Sequence, residues 1–144
     1  MSCNNIDVDS EKKAIISVIE NETTSFFNRD FEQQAKTFLH DESLTVLVAK
    51  KNWYGYVEGW SQLSANNKKY FEESSNPLTD KFENKNYKIK VYGKSAWAIY
   101  DEYVYSSKGN FLKKVINVRF LEKVDGEWKI VYLSHVNTTS FEND

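Results

Sequence analysis

The stretch Asp125-Gly126-Glu127-Trp128-Lys129-Ile130-Val131-Tyr132-Leu133-Ser134-His135 constrains the fold of this chain more than any other. Asp-Gly favours a two-residue hairpin turn, because both residues tolerate the positive φ of a type I′ turn. The residues after it alternate, with Trp128, Ile130, Tyr132 and Ser134 pointing one way and Lys129, Val131, Leu133 and His135 the other. The preceding run, Lys113 to Val124, alternates too, setting Asn117, Arg119 and Leu121 against Val118 and Phe120. A tight turn pairs Arg119 with Tyr132 and Asn117 with Ser134, so one face mixes polar groups with Trp128 and Ile130. The opposite face, Val118, Phe120, Val131 and Leu133, is almost wholly apolar. A sheet with neither face suited to water needs cover on both.

Upstream, from Phe82, the apolar period is already two. Tyr87, Ile89 and Val91 alternate with Lys88, Lys90 and Tyr92, and Gly93-Lys94 turns the chain. Trp97, Ile99, Asp101, Tyr103 and Tyr105 then alternate with Ala98, Tyr100, Glu102 and Val104. Ser107-Lys108-Gly109 suits a three-residue hairpin loop, which sets Trp97 opposite Arg119 and Ile99 opposite Asn117. The N-terminal half has helical spacing instead. Ile15, Ile19, Thr23 and Phe26 form a stripe behind a cap at Asp9 or Ser10, ending near Asn28-Arg29. Asp30 with Gln33 has capping-box spacing and starts a short helix through Phe31, Ala35, Phe38 and Leu39. Leu44 to Ala49 reads as a strand, Trp53 to Val57 as a strand or extended loop, and Gly59 opens a third helix that Asn76-Pro77 ends. Helices first and an antiparallel meander last is an α+β pattern, with three N-terminal helices on one face of a curved, mainly antiparallel sheet.

The chain has 144 residues, enough for a single domain over 10–144 behind a disordered tail at 1–9. Lys and Arg number 19 against 21 Asp and Glu, for a net charge of −2, which favours neither nucleic acid nor an anionic membrane surface. The lysines form scattered pairs, a solvated-face pattern. The one cysteine, Cys3, lies in the tail, and the two histidines, His40 and His135, are far apart, so neither a metal site nor any cofactor is expected. The N-terminus has no secretory signal and no stretch suits a membrane span, so the expected location is cytoplasmic.

On these pairings one face gathers Trp97, Asp101, Tyr103, Asn117, Arg119, Tyr132 and Ser134. Each polar group buried there without a partner would cost about 1–3 kcal/mol, so they must satisfy one another, water or a ligand. Arg119 either pairs with Asp101 on the neighbouring strand or receives a ligand carboxylate or carbonyl. Asp101 and His135 are the candidate acid–base groups. By strict alternation His135 faces away from Arg119, and a bulge in the last strand would bring it round. Trp53, Tyr56 and Trp60 are candidates for a pocket mouth. The expected partner is a small-molecule ligand, with acid–base catalysis and a dimerising scaffold as alternatives; a scaffold would have its cavity filled by Trp97 and Trp60.

The run Asp125-Gly126-Glu127-Trp128-Lys129-Ile130-Val131 resembles the Asp-Gly-x-Trp-x-Ile-Val signature of the nuclear transport factor 2-like superfamily, in particular its SnoaL-like and calmodulin-dependent kinase association-domain branches. Arg29-Asp30 and Val57-Glu58-Gly59 are weaker echoes. The resemblance implies a cone-shaped, cystatin-like α+β barrel. It also implies a homodimer formed through the outer sheet face, here Val118, Phe120, Val131 and Leu133. The association domains' pocket arginine falls on Arg119 and a second basic position on His135, which favours a bulged last strand; a third falls on Ile99. The SnoaL-like branch often has histidine where this chain has Ser134. The base of ketosteroid isomerases would fall near Leu47 or Val48, so that chemistry is not expected.

Overall fold

The computed structural model describes residues 7–142. Helix α1 spans Val8–Phe27, and its cap is Asp7, whose carboxylate accepts from the Ser10 amide at 3.2 Å. The cap expected at Asp9 or Ser10 is therefore corrected. Asp7 caps the helix and Val8 and Asp9 already lie in it, while residues 1–6 of the expected tail, with Cys3, lie outside the described residues. Helix α2, Phe31–Thr37, begins as its spacing implies: Asp30 accepts from the Gln33 amide at 3.1 Å. Arg29, at φ 59, makes the turn between them, and its guanidinium lies 4.7 Å from the Tyr70 ring centroid.

Strands β1 (Thr45–Lys50) and β2 (Trp53–Glu58) form a hairpin, and α3 (Trp60–Glu73) follows Gly59, at φ 86. Four long antiparallel strands complete the chain: β3 (Lys81–Tyr92), β4 (Ser95–Tyr105), β5 (Phe111–Val124) and β6 (Glu127–Asn137). A single 3₁₀ turn, Thr138–Phe141, ends the described chain. The sheet order is β2-β1-β6-β5-β4-β3, with β1 parallel to β6 and every other pairing antiparallel. The architecture is thus α+β, a six-stranded mixed sheet curled around three helices but not closed.

The core lies between the helices and the concave face. Ile15 and Ile19 of α1, Phe38, Leu44, Ala98, Tyr100, Leu121, Trp128 and Ile130 are all buried within it. A fully buried side chain of this size stabilises the fold by about 1.5–3 kcal/mol. Trp128 ties α1 to the last hairpin: its indole donates to Glu11, which also pairs with Lys123. Both hydrogen bonds and the Lys123 charge hold the Glu11 carboxyl below its usual range.

The Asp125-Gly126 turn has φ of 50 and 81, as a type I′ turn requires, and pairing is regular from Val124↔Glu127 to Leu121↔Ile130. Beyond that point Val131 is an extra residue, and Phe120 faces Tyr132. The loop at 107–109 also closes as expected, with Ser106 N donating to Asn110 O at 2.8 Å and Gly109 at φ 86. Tyr105 pairs with Phe111, yet the next pair is Val104↔Lys113, leaving Leu112 as the extra residue. Because side chains alternate, one inserted residue reverses the face of everything beyond it.

All four expected cross-strand pairings are overturned by these bulges. Arg119 lies opposite Leu133 and Ala98, not Tyr132 and Trp97, and Asn117 lies opposite His135 and Tyr100. The β4 residues that face the core are therefore Ala98, Tyr100, Glu102 and Val104. Leu133 turns inward to the core, so it leaves the apolar outer face on which it was expected, and Tyr132 takes that side against Phe120 at 5.2 Å between ring centroids.

Candidate functional site

Between the helices and the concave face of the sheet lies a cavity of about 710 Å³. Its wall is mostly apolar, with Phe26, Phe38, Val46, Val48, Leu63 and Val104 among the lining residues. Polar groups enter it from three helices and three strands. On α1, Glu22 follows Ile15 by seven positions and Ile19 by three, so it shares their inward stripe and is buried. Gln34 of α2 donates to Glu22 Oε1 at 3.4 Å, Thr23 donates to Oε2 at 3.4 Å, and Asn67 of α3 donates to Gln34 Oε1 at 3.1 Å. An amide relay from α3 through α2 thus ends on the Glu22 carboxyl.

The sheet side holds Arg119 and Asn117 of β5, Glu102 of β4 and His135 of β6. Arg119 is 3% exposed and Asn117 1%. Arg119 Nη1 donates to the carbonyls of Val118 at 3.2 Å and Ser134 at 3.4 Å, whereas its buried Nε has no partner among the described residues. Asn117 donates to Glu102 Oε1 at 3.3 Å. The Tyr100 ring lies 5.7 Å from the Arg119 guanidinium and 4.8 Å from the Tyr87 ring, and its buried hydroxyl is also without a partner among the described residues.

These surroundings change the acidity of several groups in or beside the wall. Burial raises the Glu22 and Glu102 carboxyls above the usual range, and the Arg119 charge opposes it in both. Burial, reinforced by Arg119 and Lys113, lowers the His135 imidazole to about 4. Tyr87 and Tyr100 are raised, chiefly by burial, and remain neutral phenols. Near neutral pH the wall therefore sets the Arg119 guanidinium among two carboxyls with raised affinity for protons, beside an uncharged imidazole and with Lys113 as a second cation in the lining.

Of the residues singled out from sequence, the fold brings Asn117, Arg119 and His135 together, and the Val131 bulge turns His135 inward. Trp53 and Tyr56 border the cavity, with Trp53 exposed at its edge and the Tyr56 hydroxyl turned to Glu58. Trp60 is elsewhere, stacked on His40 with ring centroids 4.0 Å apart. Trp97, Asp101, Tyr103, Tyr132 and Ser134 have side chains on the convex face, although the Ser134 carbonyl receives Arg119. The expected Arg119–Asp101 pair is not formed: Asp101 accepts from Asn86 at 2.9 Å and lies 3.8 Å from Lys114. Glu22 and Glu102 take its place, and sequence reasoning passed over both. Glu22 was legible as an acid on an apolar helical stripe, and Glu102 as the acid among Ala98, Tyr100 and Val104. Among the described residues no three His, Cys, Asp or Glu side chains are grouped to hold a metal ion, and no helix is long and apolar enough to cross a membrane.

No protein-family model matches the chain, and no curated protein is significantly similar to it in sequence. Solved structures do resemble it. A protein of unknown function with a cystatin-like fold from Nostoc punctiforme superposes with a TM-score of 0.71 at 15% identity, over 90% of this chain and 92% of that one. A Streptomyces avermitilis protein of the nuclear transport factor 2-like family, provisionally assigned as a dehydratase, gives 0.70 at 13% identity, over 90% and 97%. A Thiobacillus denitrificans protein provisionally assigned as a calcium/calmodulin-dependent protein kinase type II association domain gives 0.67 at 10% identity, over 83% and 91%. The fold is that of the nuclear transport factor 2-like, or cystatin-like, proteins, and identities this low speak to fold alone.

Proposed function

We propose that the cavity binds a small organic molecule that presents a carbonyl or carboxylate oxygen to Arg119. The observation behind this reading is the buried guanidinium with an unpartnered Nε in the wall of a mostly apolar hollow. A buried donor without an acceptor costs about 1–3 kcal/mol, and a ligand oxygen would recover it. The volume suits a drug-sized molecule, since such sites span roughly 300–1,000 Å³. The test is calorimetric titration of the purified protein with 4-phenylbutan-2-one and 3-phenylpropanoate, repeated on Arg119→Met and, to keep the charge, Arg119→Lys. Binding of at least one probe, weakened about tenfold or more by Arg119→Met, supports the reading. Equal affinity in wild type and Arg119→Met overturns it.

A second reading is acid–base catalysis, favoured by two carboxyls whose proton affinity is raised next to a fixed cation. In that reading Glu102 or Glu22, rather than Asp101, moves the proton and Arg119 stabilises an enolate-like oxygen. A vestigial cavity in a scaffold has less support, since neither Trp97 nor Trp60 fills the hollow. The convex face supports a further proposal, a homodimer. Val118, Phe120, Ile116, Ile99, Tyr132 and Val136 lie there on adjacent strands, several of them well exposed.

A further inference from the structure

We infer, resting on the reading of the cavity as a ligand site, that its ligand is uncharged: an apolar ketone, ester or amide rather than a carboxylate. Charge already in place in the wall disfavours a further anion. Arg119 faces Glu22 from the helix side and Glu102 from the sheet side, and each of these acids is gripped by a side-chain amide. Gln34 and Asn117 both donate, so Glu22 and Glu102 are held as hydrogen-bond acceptors. Across the whole lining, Glu22, Asp80 and Glu102 outnumber the cations Lys113 and Arg119. A carboxylate entering this hollow would be a further acid competing for one guanidinium, away from water. A buried anion short of a counter-charge is either expelled or forced to take up a proton. A carbonyl oxygen accepts from the free Nε of Arg119 without adding charge, and the apolar wall receives the rest of the molecule. His135, a neutral ring, adds no charge of its own, so it leaves this balance unaltered.

The two probes named above differ in the relevant respect: 4-phenylbutan-2-one and 3-phenylpropanoate have the same shape and size, and near neutral pH only the second is charged. Wild-type protein should bind the ketone about tenfold more tightly, a difference of ~1.4 kcal/mol. The Glu22→Gln/Glu102→Gln double variant keeps both amide contacts and removes the competing acids, so it should erase or invert that preference. Wild-type protein that binds the carboxylate as tightly as the ketone, or more tightly, would overturn the inference while leaving the ligand-site reading intact, provided Arg119→Met abolishes the binding. If neither probe binds, or if both bind Arg119→Met as well as wild type, the ligand-site reading fails and this inference fails with it. A preference for the ketone that the double variant retains unchanged would also overturn it, because charge would then not be the cause.

Discussion

His135 sits in the cavity wall as a neutral ring, and this makes acid stability a direct probe of the site. Its pKa is about 4 in the fold against an ordinary 6.5, because burial and the Arg119 and Lys113 charges disfavour the imidazolium. A folded pKa below the unfolded one means that the unfolded chain takes up the proton first. The stabilisation is therefore fully present above 6.5 and is lost as pH falls towards 4. Between about pH 7.5 and about pH 4.5 this linkage removes up to ~2.5 kcal/mol. Because the ring is only half-buried, solvent screening brings the expected loss to about 1–2 kcal/mol. Glu22 and Glu102, which face the same cation, act in the opposite sense. Their folded pKa values are raised, so their contribution is greatest below 4.5 and declines as pH rises. The comparison must therefore isolate the histidine, which His135→Gln does by supplying a neutral polar side chain at every pH. Urea midpoints of both proteins, measured in steps between those pH values, should diverge on the acid side, with wild type losing about 1–2 kcal/mol more than His135→Gln. Parallel profiles, agreeing within about 0.5 kcal/mol throughout, would refute a neutral, buried His135.

Further outcomes follow from the same structure. Glu22→Gln should gain on wild type as pH rises from about 4.5 to about 8, because it removes a carboxyl whose proton affinity is raised by burial; urea melts at both ends would reveal a gap of constant size if this is mistaken. Tyr100→Phe deletes a buried hydroxyl without a partner and should change stability by less than about 1 kcal/mol, so a larger loss in chemical denaturation would reveal a partner for that hydroxyl. Gly59→Ala places a Cβ at φ 86, 2.5 Å from Glu42 Oε2, and should cost about 1–3 kcal/mol in the same assay; an unchanged midpoint would show that α3 does not depend on this turn. Phe120→Glu puts a charge in the convex apolar face and should turn the proposed dimer into monomer in sedimentation, and a variant that still sediments as a dimer rules out that face.

Beyond the α+β architecture and its likeness to the cystatin-like fold, what sequence alone revealed was local. Asp30 with Gln33, the Asp125-Gly126 turn and the loop at 107–109 each carry their geometry in adjacent residues, and the structure has them as read. The parallel pairing of β1 with β6 is remote in sequence and left no such mark. Facing failed for a different reason. Leu112 follows the apolar Phe111 and Val131 lies between Ile130 and Tyr132, so neither residue is marked by its type as the inserted one. Once the register is lost by one, Trp97, Asp101 and Tyr103 exchange places with Ala98, Tyr100 and Glu102. Each of the two carboxyls still carried a signal of its own, an acid on an otherwise apolar periodic face, which needs no knowledge of register.

The bulges that defeated the alternation also build the site, and a third reinforces the point. On β3 the register shifts between Lys85 and Lys88, where Asn86 takes φ 59. Every antiparallel pairing from β3 to β6 thus carries an irregularity, and each bulge bends its strand and adds twist. A flat sheet under three helices would press its concave side chains against them and leave no hollow. Bent at successive pairings, the sheet curls, and the cavity lies between its concave face and the helices. The same insertions decide what faces it: Val131 turns His135 inward beside Asn117, and Leu112 turns Glu102 and Tyr100 inward near Arg119. Shape and chemistry of the hollow therefore have a common origin in single extra residues, so changes at Leu112 or Val131, neither of which need touch a ligand, should disturb the site as much as changes at Arg119.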